Sequence, residues 1–502
     1  MTASTATPAT TAPDDPQLFG HPRPLWMLFM TEFWERFAFY GIRWALTLYI
    51  VAEFFGGEPS GQGWASRTYG AYLALVYASS VFGGYVADRV IGHQRSILVG
   101  AMVMAAGLFM ITLPSRTLFL AGLATIIVGN GLFKPNISSM VGQLYATGDS
   151  RRDRGFTLFY MGINAGALVA PVLTAWLASH VFGTPMHQHY QAVFAASGVG
   201  MLVSLAWFWV GRRQLKGVGQ ASGATAHPMR VAWVVLGCLA AIPLVYLLMA
   251  HAGAVVLQWL LSGLFLALAA MLVIEAPRHD RVQLHRVFAM LIIFGFNVLF
   301  WMFFEQAGSS FTFLAQNIVD REVISGWRFP IAWFQSINPV AIIALAPLVA
   351  LVWGWLDRRG AEPSIPRKFG LGLVGNALGF LVLMYALSSL VDDGGHIPFW
   401  PLALCYVLQT AGELCLSPIG LSMTTKLAPA RLVGFAMGGW FLSTAIGNNL
   451  SGLFAGHVSG ESGMSVASAL SGYTMGFWLL LGAGVLLFVI APLVNRLMHG
   501  VK

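Results

Sequence analysis

Charge is scarce in this chain. Only 10% of its 502 residues are Asp, Glu, Lys or Arg, while 57% are hydrophobic. A soluble domain carries about 25% charged residues, so the shortage excludes a soluble multi-domain enzyme. Cysteine is nearly absent. Cys238, Cys405 and Cys415 all fall in apolar segments, which marks them as small core residues with no disulfide role. No His-Glu-x-x-His run and no Gly-x-Ser-x-Gly elbow occurs, so two common hydrolase signatures are missing. No basic patch exceeds a short loop, which argues against a nucleic-acid partner. The first twenty residues are rich in Thr, Ala and Pro and lack a basic start followed by an apolar core. No cleaved signal peptide is visible there, and a disordered cytoplasmic tail over 1–24 is expected.

What is present in abundance is long apolar sequence. Stretches of at least the ~20 residues needed to cross a bilayer recur from end to end. The pattern predicts fourteen spans at about 25–55, 68–91, 96–114, 117–146, 155–181, 190–211, 229–249, 252–275, 284–316, 330–356, 367–391, 398–427, 431–457 and 470–495. The 56 glycines and 21 methionines suit closely packed helices. With the N-terminus inside, 21 Lys and Arg fall in inner loops and at the two ends, among them Arg89, Arg95, Arg151, Arg152, Arg212 and Arg213. Only 4 fall outside, namely Arg67, Arg116, Arg321 and Arg328. This bias orients the chain with both termini cytoplasmic.

A polar, Gly-rich linker over 214–225 interrupts the series after six spans. The seventh and eighth spans carry no internal charge, and without them six spans stand on each side. The expected architecture is an all-α membrane protein of two six-helix bundles, 25–213 and 281–498, with a linker and extra helical hairpin over 214–280. Two such halves commonly place a transported substrate at their interface, near the midplane.

Seven charged residues nevertheless lie inside spans: Glu32, Glu35, Arg36, Arg43, Lys134, Glu305 and Glu413. A charge at the bilayer centre costs roughly 2.5–3.5 kcal/mol on insertion scales, so these groups are expected to face a wet interior and to act on something that crosses. Helical geometry puts Glu32, Glu35, Arg36, Tyr40 and Arg43 on one face, and Glu32 and Arg36 are spaced to pair directly. At ~1.5 Å per residue, Arg43 and Glu305 fall at matching depths toward the outer side, and Lys134 and Glu413 at matching depths near the middle. The expectation is an Arg43–Glu305 outer gate, with Lys134 and Glu413 facing each other across a central cavity. Three cations against four carboxylates leave a balance of one negative, which one proton would neutralise. No histidine lies deep in a span, so carboxylates would handle that proton. Prolines at Lys134-Pro135-Asn136, Asn164 before Pro171, Pro330 before Asn338-Pro339, and Ser417-Pro418 free backbone carbonyls beside polar residues.

These residues closely resemble the proton-dependent oligopeptide transporter family of the major facilitator superfamily. The most specific part is Glu32-x-x-Glu35-Arg36-Phe37-x-x-Tyr40-Gly41. Gly83-Gly84-Tyr85-Val86-Ala87-Asp88-Arg89, Phe133-Lys134-Pro135-Asn136, Phe159-Tyr160-Met161-Gly162-Ile163-Asn164, Phe300-Trp301-x-x-x-Glu305-Gln306 and Gly412-Glu413-x-x-x-Ser417-Pro418 support it. The extra hairpin resembles the bacterial members. The resemblance implies symport of di- and tripeptides with protons by alternating access, in a bacterial inner membrane, by a monomer that needs no cofactor or metal. It also implies that Arg36 and Lys134 meet the peptide carboxylate and that Asn164, Asn338 and Glu413 meet its amino group. Tyr40, Tyr77, Trp301, Ser417 and Trp440 match pocket-lining positions, Glu32 and Glu35 the coupling motif, and Arg43–Glu305 the outer gate. Two departures stand out. Phe39 stands where many relatives have a second tyrosine, and this chain has Tyr77 in the region of helix 2 where animal relatives carry a histidine, so a histidine relay does not carry over. A carrier of nitrate or another small anion fits the mixed charges less well than a carrier of zwitterions. An intramembrane enzyme, a channel and a nutrient sensor fit less well again.

Overall fold

A computed structural model of the chain describes residues 17–146, 149, 151–221, 227–278, 280–460 and 462–501. Residues 1–16 of the expected tail and 222–226 of the expected linker lie outside the described residues. The end of that tail is structured. Gln17–Leu18 (β1) pairs antiparallel with His21–Pro22 (β2), and the turn uses Gly20 at φ 77°. Trp26 anchors it by donating to the Leu18 carbonyl at 3.0 Å and meeting Phe19 edge-on.

Everything long is helical, as lipid requires, because only helices and closed barrels satisfy their own backbone there. The first helices are α1 (Arg23–Arg43), α2 (Ala45–Phe54), α3 (Gln62–Val86), α4 (His93–Met110), α5 (Arg116–Gln143), α6 (Arg151–Trp176) and α7 (Tyr190–Gly211). The extra hairpin is α8 (Pro228–Leu247) and α9 (Gly253–Glu275). There follow α10 (Arg281–Phe304), α11 (Ser310–Asn317), α12 (Phe334–Arg358), α13 (Ile365–Ser389), α14 (Trp400–Leu414), α15 (Ser417–Leu427), α16 (Val433–Ser459) and α17 (Val466–Met498). Among the described residues, length and apolar composition pick out 11 spans, or 12 when α1 and α2 are joined across their 42° bend. One of these, Pro228–Glu275, is 48 residues long and has Gly253, at φ 69°, where α9 begins. The 27-residue α16 is not among these spans.

Contacts divide the chain into two units that differ from the two halves of the sequence. Among the described residues, the first holds those up to Ile42 and those within Ser79–Tyr246, and the second those within Arg43–Ala78 and from Leu247 onward. Residues 43–78 cluster with the later helices, and the hairpin is not a body of its own.

In the first unit α4 and α5 cross where glycines meet. A Cβ on Gly100 would lie 2.7 Å from the Gly129 carbonyl oxygen, and one on Gly107 equally close to that of Gly122. Such contacts let two backbones approach without intervening side chains. On the outside of this pair α8 lays Val231, Val234 and Cys238 against Val99 and Leu132. The linker is partly pinned as well. Gln94 donates its backbone N–H to the Gly219 carbonyl at 3.0 Å and its side-chain amide to the Val218 carbonyl at 2.7 Å.

In the second unit α9 is fixed to α16, where the Asn449 amide donates to Ala254 O at 2.7 Å and to Gln258 Oε1 at 3.0 Å. The most apolar window of α8–α9 has mean hydropathy 2.4 and is only 6% buried, a surface suited to lipid. Gly70 of α3 meets Gly452 of α16 so closely that a Cβ on Gly452 would sit 2.7 Å from Gly70 Cα.

Candidate functional site

The charged residues occupy the interruptions of helices. Arg43 ends α1, and α2 leaves at 42° one residue later. Glu305 ends α10 and opens a one-turn 3₁₀ segment, Glu305–Gly308, before α11. Glu413 precedes the break between α14 and α15 at Cys415–Leu416. Pro418 near the start of α15 explains that break, because it cannot donate to the preceding turn. Pro135, Pro171 and Pro339 instead remain inside continuous helices.

In the first unit Glu32, Glu35 and Arg36 are 2%, 0% and 3% exposed. Arg36 donates from Nε and Nη2 to both carboxylate oxygens of Glu35, a fork that fixes its plane. Its contact with Glu32 is looser, 3.4 Å from Nε to Oε1. The expected i,i+4 pair exists, yet the immediate neighbour holds the stronger position. The reason is a second helix. Asn130 of α5 donates to Glu35 Oε1 at 3.3 Å and steadies that carboxylate. Glu32 Oε2 is buried without a hydrogen-bond partner among the described residues, and Lys134 lies within its electrostatic reach. The Arg36 guanidinium also covers the Phe39 ring, 4.8 Å from its centroid. Phe39 meets half-buried Tyr40 edge-on at 5.4 Å. Asn164 is 4% exposed and donates to the Tyr160 carbonyl of its own helix at 2.9 Å.

The second unit holds the other charged group. Arg43 Nη2 donates to Glu305 Oε2 at 2.5 Å, with the two side chains 12% and 6% exposed. Arg43 Nε donates to the Tyr69 hydroxyl at 2.8 Å. Nearby, the Thr47 hydroxyl donates to the Gly308 carbonyl at 3.1 Å and ties α2 to the α10–α11 break. Asn338 donates to Glu413 Oε2 at 3.0 Å and to the Thr410 hydroxyl at 2.9 Å. Glu413 in turn feels the charges of both Glu305 and Arg43. The expected gate pair and the expected amine-binding carboxylate thus belong to one electrostatic group.

The aromatic candidates divide. Trp301 is half-buried and donates from its indole to Asn297 Oδ1 at 3.0 Å. Tyr77 is half-buried on α3. Trp440 is 5% exposed and packs edge-on against Phe294 and Phe369, with Gly420 leaving room for its ring. The Ser417 hydroxyl oxygen is buried without a hydrogen-bond partner among the described residues.

Sequence reasoning passed over Asn130, Tyr69, Thr410 and Asn297. Three carried a readable signal. Asn130 lies four residues before Lys134, Thr410 three before Glu413, and Asn297 four before Trp301, each on the face of a residue already singled out. Tyr69 had no such neighbour.

The comparisons with known proteins agree with one another. A family model described as POT family, PTR2, matches residues 94–496. Peptide transporter YePEPT of Yersinia enterocolitica subsp. palearctica is 37% identical, with 98% of each chain covered. Dipeptide and tripeptide permease B of Aeromonas hydrophila subsp. hydrophila is 33% identical over 96% of this chain and 95% of its own. A crystal structure of a peptide transporter POT in complex with sulfate superposes with TM-score 0.82 at 32% identity, over 97% of this chain and 98% of that one. These relatives are transporters rather than enzymes. With its multi-pass helical architecture of the major facilitator type, this chain belongs to the POT family.

Proposed function

We propose that this chain imports di- and tripeptides together with protons by alternating access. The observation that carries the reading is the buried group of Glu32, Glu35 and Arg36, in which two carboxylates share one guanidinium. One carboxylate oxygen, Glu32 Oε2, is left without a hydrogen-bond partner among the described residues. A buried carboxylate in that position gains a donor by taking up a proton, whereas burying it charged costs several kcal/mol. Glu35 is held by Arg36 and Asn130.

In this reading Arg36 and Lys134 take the peptide carboxylate, while Glu413, Asn338 and Asn164 take the amino group. Tyr40, Tyr77, Trp301 and Ser417 line the side-chain space, with Trp440 as packed backing. Glu32 and Glu35 bind the proton, and the Arg43–Glu305 pair gates the outer side. A carboxylate already holding Asn338 is a ready acceptor for an ammonium, and charge-assisted hydrogen bonds supply the affinity. The bias of basic residues supports an inner-membrane protein with both termini cytoplasmic. One chain is the transporting unit. The names of the relatives support peptides as the cargo.

Counterflow in proteoliposomes tests this reading. Liposomes loaded with an unlabelled dipeptide should accumulate labelled di- and tripeptides, and neither tetrapeptides nor nitrate should compete. Exchange of nitrate without exchange of peptides would overturn it.

A further inference from the structure

Two cavities of the first unit meet at Arg95. One, about 330 Å³, is polar and lined by Gln94, Arg95, Arg212, Arg213, Gln220 and Ala221. The other, about 670 Å³, runs along α8 beside Pro228, Val231, Val235, Leu236 and Leu239, and Arg95 lines it too. Among the described residues no carboxylate lines either cavity.

The polar cavity is built rather than incidental. Gln94 clamps the backbone at Val218 and Gly219 through its own N–H and its side-chain amide. Gly92, at φ 81°, lets Ala221 approach so closely that a Cβ there would lie 2.7 Å from the Ala221 nitrogen. The Arg212 guanidinium lies over the Trp209 ring, 3.7 Å from its centroid, which holds it in one pose. Trp209 is itself 55% exposed, as suits an indole at the membrane boundary. Three guanidiniums around a pocket without a carboxylate complement a phosphate, whose oxygens accept paired N–H donors.

The apolar cavity says which phosphate. Val231, Val235 and Leu239 recur every four residues and form a stripe ~12 Å long up α8. The adjoining side of α8, with Val234 and Cys238, packs on Val99 and Leu132, and Val231 borders both. An inorganic ion needs only the arginine pocket. An apolar groove that begins at the same arginine matches a molecule with a charged head and a hydrocarbon tail.

We propose that this junction binds an anionic phospholipid, with its phosphodiester among Arg95, Arg212 and Arg213 and one acyl chain along α8. Each arginine near an anionic headgroup contributes about fivefold in affinity. Native mass spectrometry of the detergent-purified protein, titrated with phosphatidylglycerol or phosphatidylcholine of the same acyl chains, reads this directly. Wild type should prefer phosphatidylglycerol. Arg213→Gln, an exposed substitution, should lose about fivefold of that preference, and the Arg212→Gln/Arg213→Gln pair about twentyfold or more. Val235→Trp should fill the groove and weaken both lipids. An unchanged preference in the arginine variants would overturn the proposal. So would displacement of phosphatidylglycerol by inorganic phosphate at equal concentration with Val235→Trp silent, since the pocket would then serve a free anion. The readout is binding alone and stands apart from whether the cargo is a peptide.

Discussion

Replacing Glu305 with Gln removes the charge that Arg43 faces while keeping the shape of the side chain. Removing one partner of a buried ion pair costs ~3–5 kcal/mol, because the other charge stays behind in a poorly solvated place. One new hydrogen bond softens the loss, since the carboxamide oxygen can accept from Nη2, while the Tyr69 hydroxyl keeps the bond it already accepts from Arg43 Nε at 2.8 Å. A hydrogen bond to a charged group is worth ~1.5–3 kcal/mol, which leaves a net loosening of ~1–3 kcal/mol, or roughly 5- to 150-fold in the equilibrium of that contact. Thr47 offers a reporter, since it is 0% exposed and bonded to Gly308 across the α10–α11 break. Thr47→Cys, in a background where half-buried Cys415 is Ser, can be labelled with an impermeant maleimide added from either side. Labelling should quicken by that factor in Glu305→Gln, and the pH dependence of driven uptake should flatten. Adding Arg43→Gln should restore much of the protection, because no unpaired charge then remains. Labelling rates and a pH profile indistinguishable from wild type would remove this pair from the gating and coupling scheme.

Other outcomes are equally specific. Lys134→Ala should abolish proton-driven peptide uptake in proteoliposomes while leaving the chain folded by size-exclusion chromatography; retained uptake would defeat the assignment of Lys134 to the carboxylate. Asn338→Ala should raise the half-saturating peptide concentration about tenfold, the loss of one hydrogen bond to a charged group, with little change in melting temperature. Gly83→Ala should lower the melting temperature, because its methyl would overlap the Gly131 carbonyl and overpacking costs ~1–3 kcal/mol. His21 bonds the Tyr145 hydroxyl at 2.8 Å, and burial, then Arg154 and Arg151, push its pKa below 6.5 against a smaller opposing pull from Asp149. Its folded form therefore favours the neutral ring. The stability it contributes is complete above pH 6.5 and is lost as pH falls from 6.5 toward the lowered value. His21→Gln should melt with a smaller pH dependence than wild type in that window.

Much of this was legible in the residues. The spans announced themselves because lipid leaves no alternative to long apolar helices, and α16 was read among them over 431–457. The charged positions were legible for the same reason: Glu305 and Glu413 are conspicuous in apolar surroundings. Less legible was how those charges are held. Periodicity gave Arg36 to Glu32, four residues away, whereas Glu35 takes the guanidinium because Asn130 of another helix fixes its carboxylate. The helix interruptions at Trp44, at Glu305–Gly308 and at Cys415–Leu416 were also hidden, since hydropathy runs through them without a pause. The contact clusters are also not visible in the sequence. A linker of Gly and Ser looks like a boundary, but the contacts of residues 43–78 depend on side chains that meet far along the chain, such as Arg43 with Glu305 and Thr47 with Gly308.

The meeting of Gly70 with Gly452 carries a consequence for how α3 and α16 can behave. Most helix crossings are indexed by side chains seated in sockets, and leaving one register means lifting a side chain out. At this point neither helix has anything to lift, and the nearest side chain in the seam is Arg67 of α3, lying against Gly456. The crossing is therefore intolerant of grit: a single methyl on either glycine would force the two backbones apart.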